Sequence, residues 1–324
     1  MLRYCGPFLF LFSIPLFYYA LGPTAPLFSV ALLLLALTGA EFVAARGDGS
    51  EAGMGGNFRL LIWLYIPLQL FAIIWGVMVS GEASAAGFAA LAISLGVTTG
   101  VFGVLAAHEA LHSGDQAKAF LGVGLLTAMS YRHIRIAHIH GHHRWAGTEK
   151  DAATARLGES FYAFLLRTLQ GQFREAWRVE RRRGGRRLLL DAGVMLILFA
   201  AIGFFIGPRA LAFFLGQSAV AILVLELFNY VAHYGLARTR GADGKLEALG
   251  DHHCWNSSNV LANHLIFNMS RHSHHHRRPA ASFETLKARP APELPFGYAA
   301  SILLALAPPL WRLVMDEKAL TWRA

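Results

Sequence analysis

The chain has 324 residues, of which 55% are hydrophobic and only 15% charged, and it carries a net charge of +9. Soluble domains carry roughly 25% charged residues, so this composition argues against a soluble globular protein. Two cysteines, Cys5 and Cys254, exclude a disulfide framework.

Apolar runs of the length that crosses ~30 Å of hydrocarbon lie near 6–20, 24–45, 60–80, 86–107, 188–206 and 210–232. The first two are joined by the turn "LGPTAP". A signal peptide headed by Arg3 is the alternative for the first run, but no small-x-small cleavage site follows and a second apolar run starts at once. The pattern predicts an all-α polytopic membrane protein with about six transmembrane helices, forming one domain over 1–324 with polar segments at 108–187 and 233–324.

Lysine and arginine sort almost completely. Fourteen of the 29 fall in 108–187 and eleven in 233–324. With six crossings Arg3, Arg46 and Arg59 share their side, and only Arg209 lies opposite. Cytoplasmic loops carry the Lys/Arg excess, so both polar segments and both termini are expected in the cytoplasm of a bacterial-type inner membrane. The charge is then explained by topology and anionic lipid, and nucleic-acid binding is not needed. The run Arg181–Arg187, "RRRGGRR", reads as a lipid-facing anchor before the fifth span.

All fifteen histidines lie in or beside the two polar segments, in clusters. The first cluster is "HEALH", whose His108 and His112 share a helix face at i, i+4. Alone it suggests a zinc protease with Glu109 as base, but a protease needs only one further ligand and leaves the other clusters unexplained. The second is "HIHGHH": His138 and His142 have helical spacing, His143 is adjacent, and Gly141 leaves room for something bulky. The third, "ELFNYVAHYGL", puts Glu226, Asn229, Tyr230 and His233 on one helix face, and an ionisable residue inside a span is a functional hypothesis by default. The fourth, "RHSHHHRRP", spaces His272, His275 and His276 at i, i+3, i+4, with His274 pointing elsewhere.

Imidazole suits iron, zinc, copper and nickel. The nine candidate ligands exceed what one ion takes, so two ions are implied. Neutral rings cancel no metal charge, and carboxylates are needed to orient them. Glu109, Asp151, Glu159, Glu226 and Asp251 are available for this, with Asn229, His253 and Asn256 as neutral polar neighbours. His133, His140, His252, His264 and His274 are expected behind the ligands or at the surface.

Taken together, "HEALH", "HIHGHH…DAATARLGES", "NYVAHYGL", "WNS", "RHSHHH" and the C-terminal "LPFGYAASILLALAPPLWRLVMD" resemble the membrane-bound non-haem di-iron monooxygenases of the alkane 1-monooxygenase and xylene monooxygenase type, within the integral-membrane fatty acid desaturase superfamily. The resemblance runs in order through most of the chain. It implies six spans, a cytoplasm-facing site with two iron ions, and dioxygen-dependent hydroxylation of a terminal methyl to a primary alcohol. It carries ligand roles onto His108, His112, His138, His142, His143, His233, His272, His275 and His276. The chain departs from the family pattern at Ser113, Ala232 and His274, where Lys or Arg, Glu and Asp usually stand.

The sequence holds no flavin or nicotinamide fingerprint and no cysteine cluster, so electrons are expected from a separate rubredoxin or ferredoxin-type donor with its reductase, drawn to the basic face. The substrate is expected to be an apolar small molecule that partitions into membrane lipid, with Trp63, Phe71 and Trp75 as candidates for limiting its length. The competing readings are a fatty-acyl desaturase or hydroxylase of the same superfamily and, from another class, a metal transporter with His-rich loops; transporters place ligands near the bilayer midplane, whereas these sit at one face.

Overall fold

The computed structural model describes residues 2–43, 46–47 and 58–323, and among them it contains helices and isolated bridges but no strand. Residues 44–45 of the second expected span and the side chain of Arg59 lie outside the described residues. Among the described residues four helices are long and apolar enough to cross a membrane: Leu60–Val79, Ala85–His112, Arg187–Ile206 and Pro208–His233. They match four of the six expected runs. The other two form shorter apolar helices, Gly6–Leu21 and Leu27–Val43. At 1.5 Å per residue these reach about 24 and 26 Å, just under the ~30 Å hydrocarbon thickness. Their outward faces carry exposed Leu9, Leu16, Leu35 and Phe42, side chains that only lipid solvates without cost.

Two of the long helices bring the site together, and they run parallel. Gly96 lies against Val220 and Gly100 against Val224. A β-carbon on Gly100 would stand 2.6 Å from Val224 Cβ and 2.8 Å from the Ala221 carbonyl oxygen, so small residues four apart let the backbones touch, as in membrane helix pairs generally. The contact coincides with a π-helical turn, Thr99–Gly103, one turn before the first histidine motif; such turns favour functional sites. Gly100→Ala is therefore expected to destabilise the fold by about 1–3 kcal/mol. Thermal unfolding in detergent would register this, with Gly39→Ala as the control, because nothing lies within 4 Å of a β-carbon there.

At the end away from the histidines, Arg209 donates to the carbonyls of Ser80, at 3.1 Å, and Ala83. This holds the 80–84 turn onto the start of Pro208–His233. At the histidine end, Asp191 near the start of Arg187–Ile206 accepts from Arg132, at 2.8 Å, and Arg135, at 3.0 Å. Those pairs anchor residues 134–145, which carry the second histidine cluster.

The polar segment 108–187 is more ordered than its sequence suggests. Phe161–Arg182 is a helix, started by Ser160, whose side chain accepts from the Ala163 amide. Its polar residues Thr168, Gln172 and Glu175, at i, i+4, i+7, face inward, while Tyr162, Leu166, Phe173 and Trp177 are exposed. Arg174 and Arg178 occupy a further exposed face. An outward apolar stripe beside a basic face is the pattern of an amphipathic helix suited to a membrane interface.

Candidate metal centre

The nine predicted histidines converge, in two groups. His108, His112, His138, His143 and His275 form one, and His142, His233, His272 and His276 the other; within each, the ligand-capable atoms lie within 4.8 Å of one another. In the first group His143 Nε2 is 3.1 Å from His112 Nε2, 3.0 Å from His138 Nε2 and 3.3 Å from His275 Nε2. In the second, His272 Nε2 is 3.1 Å from His233 Nε2 and 3.0 Å from His276 Nε2. The groups adjoin: the His143 and His276 ring centroids are 4.8 Å apart.

The division differs from the i, i+4 reading of the second cluster. His138 pairs with His143, and His142 joins the other group. The reason is local backbone: His138–His142 is a π-helical turn, whose i→i+5 winding aligns residues five apart rather than four. In His272–Arg277 the α-helical spacing sends His272 and His276 to one group and His275 to the other.

The donor chemistry fits metal ions. Ring nitrogens facing each other at about 3 Å have the spacing of neighbouring ligands whose metal–nitrogen bonds are about 2.0–2.1 Å. His142 Nε2 is buried and has no hydrogen-bond partner, while its other nitrogen, Nδ1, is 2.8 Å from Asp151 Oδ2. Asp151 also accepts from Thr154 Oγ1 at 2.7 Å and from the Ala153 amide at 3.1 Å. Its three donors therefore leave it an acceptor only, which fixes the His142 proton on Nδ1 and a lone pair on Nε2. Burial pushes the imidazoles of His138, His143, His272, His275 and His276 below the ordinary histidine range, with neighbouring rings adding to the effect, so they are neutral at pH 7, the form that binds metal. Burial lowers His142 as well, but the Asp151 carboxylate together with Glu175 and Glu226 outweighs it, and the net shift is upward.

The expected supporting residues divide. The His253 carbonyl lies 3.4 Å from His233 Nδ1 and orients that ring. Asn256 Oδ1 accepts from the Ser273 amide, at 3.0 Å, and hydroxyl, at 2.9 Å, and so fixes the start of the helix bearing His272, His275 and His276. Glu226 is fully buried and its hydrogen bonds come from Tyr131, Gln172, Asn229 and Thr168, four neutral groups in place of a cation. Glu109 is buried between His108 and His112 in the chain and belongs to neither group. Glu159 pairs with Arg167 at 2.7 Å, and Asp251 with Arg277 and Arg289 at 3.2 and 3.3 Å. Nearby arginines claim these two carboxylates before any imidazole does. The remaining histidines stay outside both groups: His133 packs on Tyr131 and Phe173, His140 meets Arg183, His264 packs on Tyr4, and His274 Nδ1 accepts from the Lys287 amide.

A third cluster, Glu247, His252 and His253, also has metal-like proximity. The Gly250 amide donates to His253 Nδ1 at 2.8 Å, which puts the ring proton on Nε2, 3.2 Å from Glu247 Oε1. That is a hydrogen-bonded brace, not a free ligand set.

Sequence reasoning missed Glu175. A β-carbon on Gly141 would stand 2.2 Å from the Glu175 carboxyl carbon, so the bulky neighbour that Gly141 accommodates is this side chain. Burial, and then the Asp151 charge, push Glu175 up to about 7. The inward polar stripe of its helix was the available signal.

An apolar cavity, about 1210 Å³ including its mouth, opens beside the histidines. Val104, Leu105, Leu126, Val224 and Ile302 line its body, and His108, His138, His142 and His272 its polar end. Phe228 stacks on Tyr298 with centroids 4.6 Å apart and sets this wall against His272. Trp63, Phe71 and Trp75 do not line it. Phe71 is 68% exposed, and Trp75 donates to the Tyr19 hydroxyl.

Comparison with known proteins gives the family of the chain. The fatty acid desaturase family model matches residues 83–300. The chain is 36% identical to alkane 1-monooxygenase 1 of Pseudomonas aeruginosa, over 83% of this chain and 74% of that one. It is 35% identical to an alkane 1-monooxygenase of Pseudomonas putida, over 82% and 69%, and 25% identical to the xylene/toluene monooxygenase hydroxylase component XylM of Pseudomonas putida, over 80% and 73%. The chain thus belongs to the fatty acid desaturase family, on the branch of the alkane and xylene monooxygenases.

Proposed function

We propose that this protein is a membrane-embedded monooxygenase that hydroxylates the terminal methyl of an alkane or alkyl-substituted hydrocarbon to a primary alcohol. The observation that carries this reading is the placement of two histidine groups, five and four residues, at the polar end of an apolar cavity. His108, His112, His138, His143 and His275 would hold one iron ion and His142, His233, His272 and His276 the other. When bound, the iron pair supplies the redox chemistry by which dioxygen, two electrons and two protons give the alcohol and water.

The protein's own contribution is to bind, aim and exclude. The cavity takes the hydrocarbon out of lipid at little desolvation cost. Phe228 and Tyr298 direct one end of that chain past His272. The same apolar walls keep bulk water from the reacting carbon. Electrons come from a rubredoxin or a ferredoxin-type protein with its reductase.

The reading includes one domain over 1–324 and six crossings of a bacterial inner membrane, with both termini and the metal centre on the cytoplasmic side. The gathering of Lys and Arg at the histidine end supports that orientation.

The test is conversion of n-alkanes, alkylbenzenes and fatty acids by whole cells supplying a rubredoxin and its reductase, with iron measured in the purified protein. Terminal alcohols and about two irons per chain are expected. A double bond or an internal hydroxyl as the product, or active protein free of iron, contradicts the reading.

A further inference from the structure

The apolar helix Leu27–Val43 carries a single charged residue, Glu41, two residues before its end. An ionisable side chain in such a helix is expensive and marks function by default. Its partners come from the far end of the chain. The Ala299 amide donates to Glu41 Oε1 at 2.8 Å and the Ala300 amide to Glu41 Oε2 at 3.1 Å. Both amides belong to the first turn of the helix Gly297–Ala305, whose N–H groups have no partner within the helix and whose dipole favours an acidic side chain. Gly297, at φ +74°, makes room for the contact, because a β-carbon there would collide with the Glu41 carboxyl group. Asn259 adds a second tie by donating from Nδ2 to the Ala40 carbonyl at 2.7 Å.

This clamp joins two walls of the apolar cavity. Leu37 and Glu41 line it from Leu27–Val43, and Tyr298, Ala299 and Ile302 line it from Gly297–Ala305. From the second helix the constraint passes to the histidines by two routes. Tyr298 stacks on Phe228, whose ring stands edge-on to His272 with centroids 5.5 Å apart. The Tyr298 hydroxyl also donates to the Trp255 carbonyl, and the next residue, Asn256, fixes the start of the helix bearing His272. The aromatic wall and the His272 ring are thus held in one frame, and Glu41 fastens that frame to Leu27–Val43.

We infer that Glu41 is a positioning residue for the hydroxylation: by clamping the start of Gly297–Ala305 it sets where the Phe228–Tyr298 wall stands against His272, and so keeps attack on the terminal methyl rather than on the neighbouring methylene. This rests on the reading above that the cavity presents a terminal methyl to the metal centre; it adds the residue that enforces the choice of carbon. A misplacement of about 1 Å is enough to cost roughly 100-fold in rate, and neighbouring carbons of one chain are separated by little more than that. Apolar packing alone lets a chain slide along its own axis, so the wall that stops it has to be fixed by directional bonds, and the two amide contacts of Glu41 are such bonds.

The test uses full-length, iron-loaded protein in lipid nanodiscs, supplied with rubredoxin, its reductase and n-octane, and measures the ratio of secondary to primary alcohol. Glu41→Ala is expected to raise that ratio about tenfold and to lower kcat about tenfold with KM little changed. Glu41→Gln, which keeps one of the two acceptor oxygens, is expected to fall between it and the parent. Gly297→Ala should raise the ratio in the parent and raise it by a smaller factor in the Glu41→Ala background, because the carboxyl group it strikes is gone there. Gly39→Ala, on the same helix with nothing within 4 Å of its β-carbon, should keep the parental pattern. Hydrogen exchange reads the clamp without turnover: the Ala299 and Ala300 amides should lose protection about tenfold or more in Glu41→Ala. A parental alcohol ratio in Glu41→Ala, or in Glu41→Gln where the alanine variant loses its iron, overturns the assignment, as does an equal effect of Gly297→Ala in both backgrounds or unchanged exchange at the two amides. A parent that makes no terminal alcohol contradicts the functional reading instead, and the exchange measurement still reports on the clamp.

Discussion

Replacing His143 or His276 by alanine is expected to lower bound iron from about two ions per chain to about one and to abolish hydroxylation. His143 is the hub of the first group, since its Nε2 lies 3.0–3.3 Å from three other ligand nitrogens. His276 belongs to the second, where His272 Nε2 is its neighbour at 3.0 Å. The variants attack different positions, so each should retain the ion that the other loses. The effects should also be unequal. Loss of His143 leaves four histidines in its group, whereas loss of His276 leaves three, so iron in the second position should be removed more easily by a chelator. Metal analysis of the purified variants decides the matter. Two irons per chain in either variant contradicts the ligand assignment, and loss of both ions from each shows that the groups do not load independently.

The second large effect is expected at Asp151. Its Oδ2 accepts from His142 and Thr154, and its Oδ1 from the Ala153 amide. Asparagine has one oxygen and one amino group. Whichever way it is turned, the amino group meets a donor: the histidine and threonine on one side, the amide on the other. The favourable escape is for His142 to move its proton from Nδ1 to Nε2, which aims an N–H where the second group needs a lone pair. Asp151→Asn should therefore weaken metal binding in the second group by about 10- to 100-fold, with the first group untouched. Thr154→Val, which removes one donor and leaves the carboxylate, should do much less. Chelator competition on the two variants reads the difference, and parental affinity in the asparagine variant contradicts a role for Asp151 in orienting His142.

Much of this was legible in the sequence. Apolar runs carry their own length, so the four long spans fall close to the expected limits, and the nine histidines stand apart from the other six by their spacing within the clusters and by the family resemblance. What was not legible depended on surroundings. Glu159 and Asp251 look like partners for imidazole because charge balance near a metal calls for carboxylates, yet Arg167, Arg277 and Arg289 are closer to hand. Thr168, Gln172 and Glu175 hide in a stretch that reads as polar surface, because its helix presents apolar residues to lipid and polar ones to the site, the reverse of a soluble helix. Trp63 and Phe71 suggest a channel by size alone, but the cavity runs elsewhere.

The π-helical turn at His138–His142 has one more consequence. Because one residue is accommodated there beyond ordinary helical winding, two adjacent side chains, His142 and His143, fall in different histidine groups. Deleting Ile139, or transplanting the same histidines onto an ideal straight scaffold, would keep every ligand and still scramble the pairing. In this molecule an irregularity of the main chain is as much a part of the recognition code as the identity of the rings.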